Sequence, residues 1–520
     1  MVFASQLPHV PLPTRLHGVI DPWVASRPDA PAIEDATVRL SYGELAGQVA
    51  SARAALTEAG LRAGDRLLVV TENCVAAAVL ALAASGLDVW FSLANARLSA
   101  REIDNQAAHS GARRIVFLAQ ASPEAARHAE RLEAQPMAWP GGGSVFLSAL
   151  NEAAVPEPVE LDPARQVATL IYTTGTSGSP KGVMLTHANL LFIAENSRRV
   201  RRLSPTDRVW GVLPMSHVYG LTAVLLATLH AGASLVLVPR FDPEQTALAL
   251  AGDGITVLHG VPAMYAKLLE WGRRPGHRLH APTLRIAQSG GAPLDQALKD
   301  SFEAVFGVVL QNGYGMTEAA PSIAQTRLDD PRRDCSVGPP IPGIEVRVVD
   351  LQTRAPLPQG EAGELWVRGP NVMKGYYGNP ALTRETLSED GWLNTGDLAR
   401  VEPDGALQVV GRSKELIIRS GFNVYPVEVE QVLCAHPLVV QAAVVGRSVP
   451  GNEEVVAYVE PAPGSELARG ELEQWLRERL SPYKLPSDIV MLAQLPASPT
   501  GKVFKARLRE MAQQALDKEV

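Results

Sequence analysis

Apolar residues along this chain return in two rhythms that take turns. Short, dense runs at 66–71, 89–91, 114–118, 167–172, 208–213, 234–238, 257–258 and 284–289 have the texture of buried strands. Between them the spacing becomes helical. One such stretch opens at Ser41 and stops at Gly60, an alanine-rich one covers 75–84, another starts at Ser99, and another covers 188–200. Three more begin at Pro243, Pro262 and Pro293. Strands alternating with helices predict parallel sheets. The hydrophobic run 305–310 predicts a further strand with NGYGMTEAAP (312–321) at its end, and 121–158, rich in Ala, Glu, Pro and Gly, predicts a surface excursion.

From about Gly338 the texture changes to short strands punctuated by Gly and Pro, which predicts a β-rich subdomain. The chain closes with a helix from Pro426, strands at 441–445 and 455–459, and a helix over 469–480. No Gly/Ser linker precedes that ending, so a tight hinge at 412–414 is expected rather than a tether. The expected class is therefore α/β. A large N-terminal domain (1–412) holds parallel-type sheets with helices plus the β-rich subdomain, and a small mobile α+β C-terminal domain (413–520) pivots near Lys414.

Composition narrows the partners. At 520 residues the chain is too long for one core, and 46% hydrophobic with 20% charged residues is ordinary globular composition. A net charge of −7 without a long basic run argues against nucleic acid or an anionic membrane as the main partner. Cys74, Cys335 and Cys434 fit neither a disulfide framework nor a zinc site, which points to a reducing cytoplasm. The N-terminal residues lack a charged leader before an apolar core, so no secretory signal is expected. The longest apolar stretch, 75–87, is too short for a bilayer span.

The chemistry concentrates in a few polar stretches that follow apolar runs. TTGTSGSPKG (173–182) combines three glycines, five hydroxyl side chains and Lys181, a composition suited to cradling phosphate. It is not the G-x-x-x-x-G-K-[ST] fingerprint, because Gly178 is followed by Ser179, Pro180 and Lys181. In NGYGMTEAAP, Gly313 and Gly315 permit close approach, Tyr314 offers a flat face to a base, and Glu318 offers a hard oxygen suited to magnesium. SGGAP (289–293) offers backbone at close range at another strand end. The carboxylate of Asp397 in TGDLA can accept from a ribose diol, with Arg412 to reinforce it.

YTTGTSGSPKG resembles the signature loop of the adenylate-forming superfamily. The resemblance runs from PWVASRPDAPAIED near the N-terminus to SPTGKVFKARL near the C-terminus, and within the superfamily the chain looks most like the acyl- and aryl-CoA ligases. It implies ATP, Mg2+ and coenzyme A as partners of a small carboxylic acid. The implied nucleotide set is Thr173, Thr174, Gly175, Thr176, Ser177 and Lys181, then Gly291, Ala292, Asn312, Gly313, Tyr314, Gly315 and Thr317, and Asp397, Arg412 and Lys414. Glu318 with Thr173 would hold the magnesium. Lys502 would be the adenylation lysine, bridging carboxylate and α-phosphate. His217, in PMSHVYGL, would gate or orient the carboxylate.

By the same resemblance the acyl group meets His217, Val218, Tyr219, Ser289, Gly290, Gly313, Met316, Ala320, Pro321 and Ser322, and Gly421 and Phe422 border the pantetheine tunnel. Of these, Val218, Tyr219, Ser289, Gly290, Gly313, Ala320, Pro321 and Ser322 cannot neutralise a second carboxylate. The expected acid therefore has a neutral, largely apolar body, aromatic, alicyclic or medium-chain, unless an arginine such as Arg285 or Arg327 enters. Ile418 and Ser420 stand where many plant aryl-CoA ligases carry lysines, which leaves Arg240 and Arg419 as candidate substitutes. Two other readings stay open at this stage: an acyl-AMP ligase that loads a carrier protein, and a silent binding protein of the same fold. The assembly, including a homodimer, is also left open.

Overall fold

A computed structural model describes residues 12–139, 141–174, 180–420, 422–449, 452–462, 464–496 and 503–519. Two eight-stranded sheets dominate it. The first runs, edge to edge, Ser322–Gln325, Leu310–Gly315, Ile286–Gly290, Val257–Gly260, Arg208–Gly211, Ser234–Leu237, Pro31–Glu34 and Arg39–Ser41. It is parallel from Leu310–Gly315 through to Pro31–Glu34 and antiparallel at both rims. The second is parallel only across its centre, Val167–Thr174, Trp90–Asn95, Arg66–Thr71 and Arg114–Leu118.

The two sheets share one apolar core, with the alanine-rich helix Val75–Ser85 inside it. Every residue of that helix is buried, which explains why its sequence shows no polar face. The helix Tyr42–Glu58 opens on a reciprocal capping box between Ser41 and Glu44, and Ala100–Ser110 on one between Ser99 and Glu102. A second core covers the opposite face of the first sheet. The expected β-rich subdomain is a four-stranded antiparallel sheet, Glu345–Val349, Gly363–Arg368, Leu393–Val401 and Leu407–Arg412. The C-terminal part packs Val439–Val449, Asn452–Pro461 and Asp488–Met491 against the helix Pro426–Cys434. No helix among the described residues is long and apolar enough to cross a membrane.

Four local expectations are corrected. The strand at 167–172 is not followed directly by the helix at 188–200: Pro180–Thr186 forms a strand that pairs antiparallel with Val167–Thr174, and the helix His187–Val200 comes after it. The run 305–310 is split, because Val305 and Phe306 end the helix Gln296–Phe306. Gly307 caps it at φ +66°, and the strand begins at Leu310. That helix starts at Gln296 rather than Pro293, because Asp295 accepts from the backbone N–H groups of Ala297 and Leu298. The supposed excursion 121–158 contains the helix Pro123–Arg131 and two strands that extend the second sheet.

Candidate active site

Asp397 lies on Leu393–Val401 directly opposite Arg412 on the neighbouring strand. Its carboxylate is 3.1 Å from Arg412 Nε and accepts the Tyr314 hydroxyl at 2.5 Å, although Tyr314 comes from the far sheet. Burial, reinforced by the Asp397 charge, pushes the Tyr314 phenol well above its usual range, so it remains a donor. The Asp397 charge in turn raises the Arg412 guanidinium. Three residues singled out from separate motifs thus meet at one carboxylate.

A second cluster forms around Glu318. Tyr376 donates its hydroxyl to Glu318 Oε1 at 2.8 Å, and Lys181 Nζ lies 5.7 Å from the centre of the Tyr376 ring. Thr173 and Lys181 are register partners across the hairpin, and Tyr376 pairs with Val183 on its outer edge. The hairpin, Tyr376 and Glu318 therefore form one unit. Sequence reasoning missed Tyr376, which sits on a two-residue strand, Gly375–Tyr376, with no pattern of its own. Among the described residues no group of three or more His, Cys, Asp or Glu converges on a point. The single carboxylate of Glu318 suits a magnesium ion that would take its other ligands from nucleotide phosphates and water.

Close backbone packing accounts for the glycines of NGYGMTEAAP. A Cβ on Gly315 would lie 2.1 Å from the Pro321 carbonyl oxygen, where Met316 N–H donates at 2.9 Å. The fully buried amide of Asn371 holds the returning turn by donating to the Ala319 and Ser322 carbonyls. Ala320, Pro321 and Ser322 are fixed there, beside Met316 and Thr317. Asn312 spends its side-chain amide on the Cys335 carbonyl at 2.9 Å.

PMSHVYGL is anchored by a residue the sequence did not flag. Asn73 donates to the carbonyls of Gly211, Leu213 and Val238 and accepts from Met215 N–H at 2.8 Å, so one buried amide joins the ends of two parallel strands to this loop. His217 Nδ1 accepts from Tyr219 N–H at 3.2 Å. Val218 is fully buried in the main core. The apolar helix that follows winds as a π-helix over Tyr219–Leu226. Gly220 is required at its start, because a Cβ would meet the Pro214 carbonyl oxygen at 2.2 Å.

Tyr219 leans on the strand Ile286–Gly290, where a Cβ at Gly290 would lie 3.2 Å from its ring. Its hydroxyl faces His259 Nδ1 at 3.3 Å. Burial pushes the Tyr219 phenol up to about 12, with the Arg201 charge opposing it. Burial also carries the His259 imidazole well below its usual range, and Arg201 adds to that. Ser289 is fully buried, and Gly291 turns the chain at φ +79° beside Ala292.

Arg201 is the second residue missed. It stands in RRVRR (198–202), at the end of the stretch 188–200 that the apolar spacing assigns to a helix. The structure buries Arg198 against Glu195 at 2.7 Å and buries Arg201 with no carboxylate partner among the described residues. Of the arginines weighed from sequence, Arg285 is bound to Asp207 at 2.6 Å. Arg240 is bound to Glu72 and Glu124, and Arg419 to the carbonyls of Tyr483 and Leu485.

Between the large body and the C-terminal part, ties fall on either side of Lys414. Ser413 Oγ donates to the Gly396 carbonyl at 2.9 Å, while Glu415 is held by Lys505 at 3.0 Å, which also reaches Glu430 at 2.8 Å. Phe422 stacks on Tyr483 at 4.8 Å and is half exposed. Gly175, Thr176, Ser177, Gly421 and Lys502 lie outside the described residues, as does the side chain of Thr174.

Tyr314, at the strand end of the first large sheet, meets Asp397 of the four-stranded sheet, and strand ends are where open α/β sheets gather ligands. Residues 20–377 match the family model of the AMP-binding enzyme, and residues 428–502 match the AMP-binding enzyme C-terminal domain. The chain belongs to the AMP-binding enzyme family. It is 36% identical to a feruloyl-CoA synthase from Amycolatopsis over 484 residues, covering 93% of this chain and 96% of that protein. It is 33% identical to 4-coumarate–CoA ligase 5 of rice over 528 residues, covering 98% and 97%. Its fold superposes on ATP-bound MatB from Rhodopseudomonas palustris with a TM-score of 0.85 at 31% identity, covering 96% and 99%.

Proposed function

We propose that this protein is an AMP-forming acid:CoA ligase that activates a neutral, largely apolar carboxylic acid. The aromatic acids named in the feruloyl and coumarate relatives are the favoured class. The observation that carries the reading is the meeting of Tyr314 and Arg412 on the Asp397 carboxylate, with Glu318, a little further along the same motif as Tyr314, held by Tyr376.

In the first half-reaction an oxygen of the acid's carboxylate attacks the α-phosphorus of ATP and pyrophosphate leaves, giving acyl-AMP. Asp397 accepts from the ribose hydroxyls, Tyr314 walls the adenine, and Lys181 with the hairpin backbone meets the phosphates. Lys502 balances charge as it develops between carboxylate and α-phosphate. Magnesium, held through Glu318 and Thr173, would neutralise phosphate oxygens. In the second half-reaction the thiolate of CoA attacks the acyl carbon and AMP leaves, after residues 413–520 turn about Lys414 to bring Phe422 to the thiol's path.

ATP–pyrophosphate exchange that depends on added acid, followed by acyl-CoA formation with free CoA, is the deciding experiment. Exchange without acyl-CoA would favour loading of a carrier thiol. The absence of exchange with any acid would overturn the reading.

A further inference from the structure

Arg347, Trp366 and Asn394 are register partners on three neighbouring strands, so they stand side by side on one face of the four-stranded sheet. The other face, with Val348, Leu365, Val367 and Leu393, belongs to the main core. On the outer face lies a cavity of about 160 Å³, lined by those three residues together with Val349, Arg354, and Glu385 from the helix Pro380–Thr386. No lining residue belongs to the site proposed for ATP, acid or CoA. Two of the cavity's charges are unspent. The Arg347 guanidinium lies over the indoles of Trp392 at 4.2 Å and Trp366 at 5.1 Å but makes no hydrogen bond or ion pair among the described residues. Asp390 feels Arg347 through space, yet its carboxylate accepts from Ser388 at 2.6 Å instead. Glu385 is exposed and pairs with nothing among the described residues. Arg354 is neutralised by Glu364, which also accepts from Trp366 Nε1 at 3.1 Å and so fixes the indole. A cation and an anion therefore border one space with no ion pair between them.

A carboxylate alone would meet Glu385, and an amine alone would meet Arg347 and Arg354; a ligand with both charges answers each side. Val349 and Trp366 take an apolar body, and a space of about this volume seats a group the size of benzene. The carboxylate, ammonium group and small apolar side chain of an α-amino acid meet all three demands. We propose that this cavity is a binding site for a free apolar α-amino acid, with Arg347 on its carboxylate and Glu385 on its ammonium group. Two connections lead from the cavity to the nucleotide clusters. Asn394 Oδ1 accepts from Gly396 N–H at 2.8 Å, beside Asp397. Thr383, on the helix of Glu385, accepts at 2.9 Å from the backbone N–H of Tyr376, the partner of Glu318. An amino acid that draws this helix onto the sheet acts on both clusters, and by linkage it and ATP change each other's affinity by the same factor.

Calorimetry on the full chain with L-valine, L-leucine and L-phenylalanine tests binding without turnover. At least one should bind saturably, and its carboxamide, which lacks the negative charge, at least about tenfold more weakly. Arg347→Gln should weaken that amino acid at least about tenfold, and Glu385→Gln, at an exposed position, at least about threefold. Neither change should alter pyrophosphate exchange measured without the amino acid. Should Arg347→Gln lose its cooperative melt, Glu385→Gln alone decides. In acid-dependent exchange the bound amino acid should shift the KM for ATP at least about twofold in the wild type and not in Glu385→Gln. No saturable binding of any of the three, equal binding of the carboxamide, or binding that Glu385→Gln retains in full would overturn the site, and an unmoved KM would overturn the coupling. Only the coupling rests on the acid:CoA ligase reading, so a failure of exchange with every acid would remove that reading while the calorimetric result still decides the site.

Discussion

Asp397→Ala separates the stability of the site from its chemistry, and both effects follow from the geometry. In the folded protein the substitution leaves the partly buried Tyr314 hydroxyl without its acceptor at 2.5 Å, a loss of about 1–2 kcal/mol. Arg412 is 65% exposed, so losing that pair costs at most about 1 kcal/mol. Tyr314→Phe in the same background removes the stranded hydroxyl and should recover most of the first loss. For catalysis, two ribose hydroxyls donating to a carboxylate are worth about 1.5–3 kcal/mol each. The expected fall in kcat/KM for ATP is therefore about 10²- to 10⁴-fold. Pyrophosphate exchange with ATP, 2′-deoxyATP and 3′-deoxyATP reads this directly. The wild type should lose at least about tenfold with each deoxy analogue, and Asp397→Ala should not distinguish the three. A variant that still discriminates among them would place the sugar elsewhere and refute the argument.

Three further outcomes are expected. Lys502→Ala should abolish adenylation yet spare thioester formation from supplied acyl-AMP, and equal loss in both half-reactions would remove the lysine from its proposed role. Asn73→Ala should lower unfolding stability by about 2–4 kcal/mol, because it strands strand-end carbonyls and the Met215 N–H; a denaturation midpoint unchanged from wild type would contradict that. Acid should destabilise the fold through two groups whose pKa values are lower when folded. Burial, with Arg15 and His17, holds His187 at about 3 rather than 6.5, so its contribution is full above pH 6.5. That contribution is lost as pH falls toward 3, by up to about 1.4 kcal/mol per unit. Glu195, where His230 and Arg198 overcome burial to hold the carboxyl at about 2 instead of 4.5, adds in the same direction below pH 4.5. Chemical denaturation at pH 7, 5.5 and 4.5 checks the slope, which His187→Gln should flatten.

Much of this fold was legible because its signals are local. Capping boxes at Ser41 and Ser99 and the prolines at 243 and 262 act within a few residues, and the corresponding helices form where expected. The failures have two causes. Whether Val183–Thr186 extends as a strand is decided by the neighbouring strands it pairs with, whereas the division of 305–310 at Gly307 and the helix start after Asp295 are set by local caps that the apolar pattern does not show. The candidate site divides the same way. Asp397, Tyr314 and Glu318 stand in motifs of recognisable composition, whereas Tyr376, Asn73 and Arg201 matter only through what the fold brings to them. Arg201 shows this most plainly, since four arginines in RRVRR look alike in sequence and only the turn of the helix end decides which of them is buried.

The ties on either side of Lys414 have a practical meaning for recombining such chains. Through Ser413 the protein is fastened to the large body, and from Glu415 onward it is fastened, by Lys505, to the terminal helix. If Lys414 is the pivot, the joint is one residue wide. A crossover made there exchanges whole mechanical units, each with its own fasteners intact. A crossover placed two residues earlier would separate Arg412 and Ser413 from the carboxylate and carbonyl that hold them, and one placed two residues later would leave Glu415 on the wrong side of its lysine. On that reading, the seam along which such chains would exchange their C-terminal parts lies at Lys414.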